Sequence, residues 1–161
     1  MDELIELLKK LGWRLASCES VTGGDFASLL TDVSGASEVY AGGFVSYTND
    51  AKMSMLGISE EFLSEFGAVS QETVKIMATH ARELLSCDVA IAFSGNAGPN
   101  ASSDQPVGRV YTAIALFDDC VVYQDDFVGT RKEIKRLTVE SGMHRLLKLV
   151  MKESMRSTQI G

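Results

Sequence analysis

Five consecutive apolar residues, Val89-Ala90-Ile91-Ala92-Phe93, stand between a helical pattern and a run of small loop residues. The run is too short for a helix and shows no polar alternation, so it fits a β-strand buried on both faces. Such a strand needs a cover on each side of its sheet, and in α/β domains helices provide it. The flanking patterns agree. Leu4, Ile5, Leu7, Leu8 and Leu11 recur at helical spacing over residues 2–11, and Gly12 is the stop. Residues 13–18 read as a strand and 22–33 as a helix with Phe26, Leu29, Leu30 and Val33 on one stripe. Gly42-Gly43 punctuates the chain before a strand at 44–47. Asn49 or Asp50 caps a helix that runs through Met55 and stops at Gly57, and Ser59 opens another short helix. Ser70 is the N-cap of a longer one, with acid in its first turn. After the longest loop, 95–107, residues 109–117 and 120–127 form a hairpin across Asp118-Asp119. A helix from Arg131 to about Glu153 closes the pattern, and 154–161 reads as a frayed polar tail. The expectation is α/β: a single three-layer α/β/α domain with a mixed sheet over residues 1–161.

Charge narrows the function. Fifteen Lys+Arg against 22 Asp+Glu give a formal net charge of −7, which argues against nucleic acid and against anionic lipid as partners. No window approaches the ~18 apolar residues of a membrane span. Met1-Asp2-Glu3 lacks the basic start of a secretory signal, so a cytoplasmic location is expected. Cys18, Cys87 and Cys120 are an odd count without paired spacing and read as reduced thiols. His80 and His144 lie far apart in sequence, which argues against a histidine triad or a metal centre.

Four segments can carry chemistry. Glu19-Ser20-Val21-Thr22-Gly23-Gly24 sits at a strand-to-helix junction. The N–H groups there can hold a phosphate or an oxyanion, with Ser20 as nucleophile; taken by itself the segment reads more simply as a tight glycine turn with Ser20 or Thr22 as a plain helix cap. Tyr47-Thr48-Asn49-Asp50-Ala51-Lys52 offers a lysine base, with a tyrosine hydroxyl to orient it, or else an exposed helix lysine and a half-buried strand tyrosine. Ser94-Gly95-Asn96-Ala97-Gly98-Pro99 follows the buried strand, where α/β sheets bind ligands, and a plain connecting loop is its rival. Arg131, in Gly129-Thr130-Arg131, can clamp an anion or remain a solvated helix charge.

In order, these segments resemble the C-terminal domain of the CinA family, the nicotinamide-nucleotide amidases. The family's A-E-S-C-T-G-G is similar to residues 18–24, its G-G-x-V-x-Y-S-N-x-x-K to residues 42–52, and its G-A-V-S-x-E-T to residues 67–73. Its G-I-A-G-P and P-V-G resemble residues 95–99 and 106–108, and its G-D-R resembles residues 129–131. The resemblance implies hydrolysis of nicotinamide mononucleotide to nicotinic acid mononucleotide and ammonia, without metal or cofactor. Ser20 would be the nucleophile, Lys52 its base and Tyr47 a partner in proton handling. The Thr22, Gly23 and Gly24 backbone would serve as oxyanion or phosphate donors, and Gly95, Asn96, Ala97, Gly98 and Arg131 would bind substrate. It further implies a stand-alone amidase form and a homo-oligomer, with a dimer favoured. Val21, Asn96, Thr130 and the stretch Asn100-Ala101-Ser102-Ser103 depart from the family pattern. Two rivals stand beside this reading. One is a non-catalytic nucleotide-binding or protein-interaction module; the other is a thiol hydrolase using Cys18.

Overall fold

The structure is a computed structural model and describes residues 1–101 and 104–160. Ser102, Ser103 and Gly161 lie outside the described residues. In chain order the elements are α1 (Asp2–Leu11), β1 (Leu15–Glu19), α2 (Asp25–Thr31), a 3-10 turn (Ala36–Glu38), β2 (Tyr40–Val45), α3 (Asn49–Leu56) and α4 (Glu60–Phe66). Then follow α5 (Gln71–Leu84), β3 (Val89–Gly95), β4 (Arg109–Leu116), β5 (Asp119–Asp126) and α6 (Arg131–Gln159). The sheet order is β2-β1-β3-β4-β5. β1 runs parallel to β2 and β3, and β3, β4 and β5 are antiparallel in turn. The sheet is mixed, as expected, and β3 lies at its centre.

Residue size sorts the two faces. Val89, Ile91 and Phe93 alternate toward a core shared with α1, α2 and α6. Ala90 and Ala92 point the other way, beside Ala16, Ala113 and Ala115, toward α5 and the short helices α3 and α4. Alanine methyls leave room for α5 to nest closely, with Val74, Met77, Ala78 and Ala81 against the sheet. On the opposite face α6 makes its own room, because a Cβ on Gly142 would collide with the Phe93 ring. Gly142→Ala raises intrinsic helix propensity by about 1 kcal/mol, yet overpacking costs about 1–3 kcal/mol. The expected net result is a lower melting temperature, measured by thermal denaturation. A higher one would show that α6 shifts freely over Phe93.

Several boundaries move. Gly42 and Gly43 lie inside β2 instead of before it. A Cβ on Gly43 would run into Ser17 and the Tyr40 hydroxyl, so glycine is what lets β2 lie against β1. The strand ends at Val45, leaving Tyr47 beyond it. β1 starts and ends later than the apolar pattern suggests, at Leu15 and Glu19. α2 begins at Asp25 because Gly23 and Gly24 adopt positive φ, and it ends at Thr31. The hairpin turns through Phe117 and Asp118, with Phe117 at φ 51°. Residues 154–159 are not frayed: they continue α6, a helix of 29 residues opened by a Thr130–Glu133 capping box. Polarity there reflects exposure rather than loss of helix.

Candidate active site

The carboxyl end of β1 delivers Ser20. Its amide donates to the Phe93 carbonyl at 3.0 Å, which ties the residue to the central strand. The side chain is 8% exposed, within reach of a small ligand. Lys52 comes from α3. Thr48 caps that helix by accepting the Ala51 N–H at 3.1 Å, which turns Lys52 inward one turn later. Lys52 is 1% exposed, so it is not an exposed helix lysine. Its Nζ lies 3.1 Å from Ser20 Oγ and donates to the Ser46 carbonyl at 2.9 Å. Burial disfavours the ammonium and lowers the pKa below the ordinary 10.5. A buried amine of lowered pKa within hydrogen-bond distance of a serine hydroxyl is the arrangement a nucleophile–base pair requires.

A cleft of about 310 Å³ opens over this pair. Gly95, Asn96, Ala97 and Gly98 form one wall, as expected for a loop after β3. Asn96 fixes that loop: its N–H donates to the Arg109 carbonyl, its carbonyl accepts from Gly108, and its Nδ2 donates to the Gln105 carbonyl at 2.8 Å. Tyr47 and Arg131 stand at the rim. The guanidinium of Arg131 donates to the Gly98 carbonyl at 2.7 Å and to the Tyr47 hydroxyl at 2.9 Å, joining three segments of the mouth. Tyr47, 56% exposed, therefore meets Arg131 and makes no hydrogen bond to Lys52. The cleft walls carry no carboxylate among the described residues, although the chain is acidic overall.

Thr22, Gly23 and Gly24 are not brought to the cleft. Thr22 is fully buried and donates to Glu19, and the Gly23 N–H donates back to the Ser20 carbonyl. The first free amides of α2, those of Phe26 and Ala27, also go to the Glu19 carboxylate. That helix start is filled by a side chain and offers no phosphate site. The N–H groups of Val21 and Thr22, by contrast, donate to no described group of the chain. Val21 lines the cleft beside Ser20.

Thr48, Ala68, Val69, Ser94 and Asn100 also line the cleft but were not singled out as site residues from the sequence. Ser94 carried a signal, since it ends the buried strand; its hydroxyl donates to the Ala68 carbonyl at 2.7 Å and draws the segment before α5 into the wall. Cys18 lies under the site, fully buried, with Sγ 3.4 Å from Ser46 Oγ. Burial pushes its pKa up to about 11, so it holds no thiolate near neutral pH. His80 accepts a structural role through contact of Nδ1 with the Leu56 carbonyl. Among the described residues no group of three or more His, Cys, Asp or Glu is placed to hold a metal ion. Among the described residues no helix is long and apolar enough to cross a membrane.

The CinA C-terminal domain family matches residues 1–150. The chain belongs to that family. A competence-damage inducible protein of Bacillus pumilus is 41% identical over 152 residues, covering 94% of this chain and 36% of the relative. One from Bacillus cereus is 42% identical over 145 residues, 89% of this chain and 35% of the relative. The chain thus spans about a third of the length of the curated relatives it matches. Solved structures of similar extent share the fold. A CinA superfamily protein from Klebsiella pneumoniae gives a TM-score of 0.90 at 30% identity, covering 94% of this chain and 95% of the other. A competence/damage inducible protein from Agrobacterium tumefaciens gives 0.82 at 36% identity, covering 91% and 95%.

Proposed function

We propose that this CinA-family chain is a serine-type amide hydrolase acting on nicotinamide mononucleotide, with Ser20 as nucleophile and Lys52 as base. The observation that carries the reading is the 3.1 Å approach of a buried lysine amine to the Ser20 hydroxyl. Neutral Lys52 takes the hydroxyl proton as Oγ attacks the carboxamide carbon. The developing oxyanion lies toward the Val21 N–H, since the amide after the nucleophile is the usual donor at a strand-to-helix turn. The Lys52 ammonium then gives its proton to the departing nitrogen, and ammonia leaves an ester on Ser20. Lys52 next takes a proton from water, which opens that ester. The free acid and the Ser20 hydroxyl return, so one amide and one water become one acid and one ammonia.

The walls favour an anionic substrate. A phosphate entering the cleft meets Arg131 and, among the described residues, no repelling carboxylate. Arg131→Ala is expected to raise KM for the mononucleotide about tenfold, the worth of one charge-assisted contact, with a smaller change in kcat. An unchanged KM would place the phosphate elsewhere. The direct test of the reaction follows ammonia and the acid product from purified protein and nicotinamide mononucleotide. Binding of the nucleotide without ammonia release would favour the non-catalytic module. The homo-oligomeric state that the resemblance implies is read by light scattering on the same sample.

A further inference from the structure

We infer that Glu19 is a positioning residue for Ser20, holding the five-residue arch 20–24 in one conformation by filling the N-terminus of α2 with a fixed carboxylate. The inference rests on Ser20 being the nucleophile proposed above. Glu19 is the last residue of β1 and is 1% exposed. No cation pairs with it among the described residues. Its charge is instead met by three donors. Oε1 accepts the Thr22 hydroxyl at 2.7 Å and the Phe26 N–H at 2.8 Å, and Oε2 accepts the Ala27 N–H at 3.1 Å. These two amides are the second and third of α2, the position where a helix start holds an anion.

A helix cap alone does not require this device. An ordinary cap is the residue just before the helix, a serine or aspartate that accepts the same amides without a fully buried charge. Here that residue is Gly24, at φ 107°, which caps nothing with a side chain. The cap comes from the strand side of the arch, so it closes the arch as well as the helix. Glu19 grips α2 across the turn, Thr22 is held from inside it, and Gly23 bonds back to Ser20. With Ser20 also anchored to Phe93, the arch is fixed at both ends. The Val21 and Thr22 amides then remain unspent beside the nucleophile. Burying a carboxylate in that way costs stability unless every lone pair is met, and the return is a fixed backbone at the reacting atoms. A misplacement of about 1 Å is worth about 10²-fold in rate.

The test compares Glu19→Gln with Leu146→Ala, which opens a cavity under α6 outside the cleft lining, lowers stability and leaves the hydrogen bonds of the arch in place. Assays run well below both melting temperatures. Glu19→Gln keeps the shape but turns an N–H donor against the Ala27 N–H. Its kcat is expected to fall about 10²-fold with KM within about threefold, while Leu146→Ala keeps kcat. The amide resonances of residues 20–24 should shift in Glu19→Gln. Equal kcat in the two variants overturns the inference, and so do unmoved resonances. If Glu19→Gln does not fold, Thr22→Val removes one of the three bonds, and kcat is expected to fall about fivefold, the worth of one hydrogen bond; no fall overturns the inference. If the wild type releases no ammonia, the amidase reading fails, and the resonances of 20–24 alone decide the role of Glu19.

Discussion

Ser20→Ala is expected to fold normally, bind nicotinamide mononucleotide, and lose turnover by at least about 10³-fold. The size follows from the role: removing a nucleophile that works with its base abolishes the covalent route and leaves only the contribution of binding and of any oxyanion donors. The fold is expected to survive because the serine side chain makes one hydrogen bond among the described residues, to Lys52 Nζ, while the anchors of the residue are backbone bonds to Phe93 and Gly23. The loss in stability is about 1 kcal/mol or less. Binding is read by thermal shift and turnover by ammonia. Full turnover in the folded variant would remove Ser20 from the chemistry. Cys18→Ala provides the counter-test, and retained activity there sets aside the thiol route.

Lys52→Met separates catalysis from stability in opposite directions. Turnover is expected to fall by about 10²–10⁴-fold, because no other base lies within reach of Ser20 Oγ among the described residues. Stability near neutral pH should hold or rise. A buried ammonium costs the folded state, and a methionine of similar volume removes that cost. The pH dependence fixes the sign. Burial lowers the folded pKa of Lys52 below its ordinary 10.5. Between the lowered value and 10.5 the unfolded chain carries more protons than the folded one. Stability therefore rises with pH across that window, and below it the whole cost of burying the ammonium is present. In the wild type, activity should climb through the lowered value as the amine becomes neutral. Chemical denaturation from pH 6 to 10 should show a rise in stability that Lys52→Met lacks. Identical curves would mean that Lys52 titrates as a solvated amine, contrary to its burial.

Much of this was legible in the residues, and the exceptions have physical causes. The apolar run 89–93 announced a central strand because no other arrangement hides both its faces. The caps at Ser70 and Gly57 set helix ends because they act locally. Ser20 and Lys52 were named together only through a resemblance, since nothing within 32 residues of chain says that a lysine turns inward. Two of the errors came where glycine carried two meanings. Gly42-Gly43 read as a break, but tertiary crowding by Ser17 and Tyr40 makes it strand. Gly23-Gly24 read as an open helix start, and only a carboxylate from the preceding strand shows it to be filled. The Tyr47–Arg131 contact spans 84 positions and was likewise invisible.

The sorting of side chains across the sheet has a bearing on how this domain drifts over evolutionary time. On the alanine side, facing α5, the tolerated error is subtraction, because any added methylene must push a whole helix outward. On the side of Val89, Ile91 and Phe93 the danger is reversed, since truncation opens holes that α6 cannot close. One strand thus obeys two opposite selection rules at alternate positions. Lineages can exchange bulk between Phe93 and position 142 as a compensating pair, whereas the alanine face has no partner glycine among the described residues to give way and should change least.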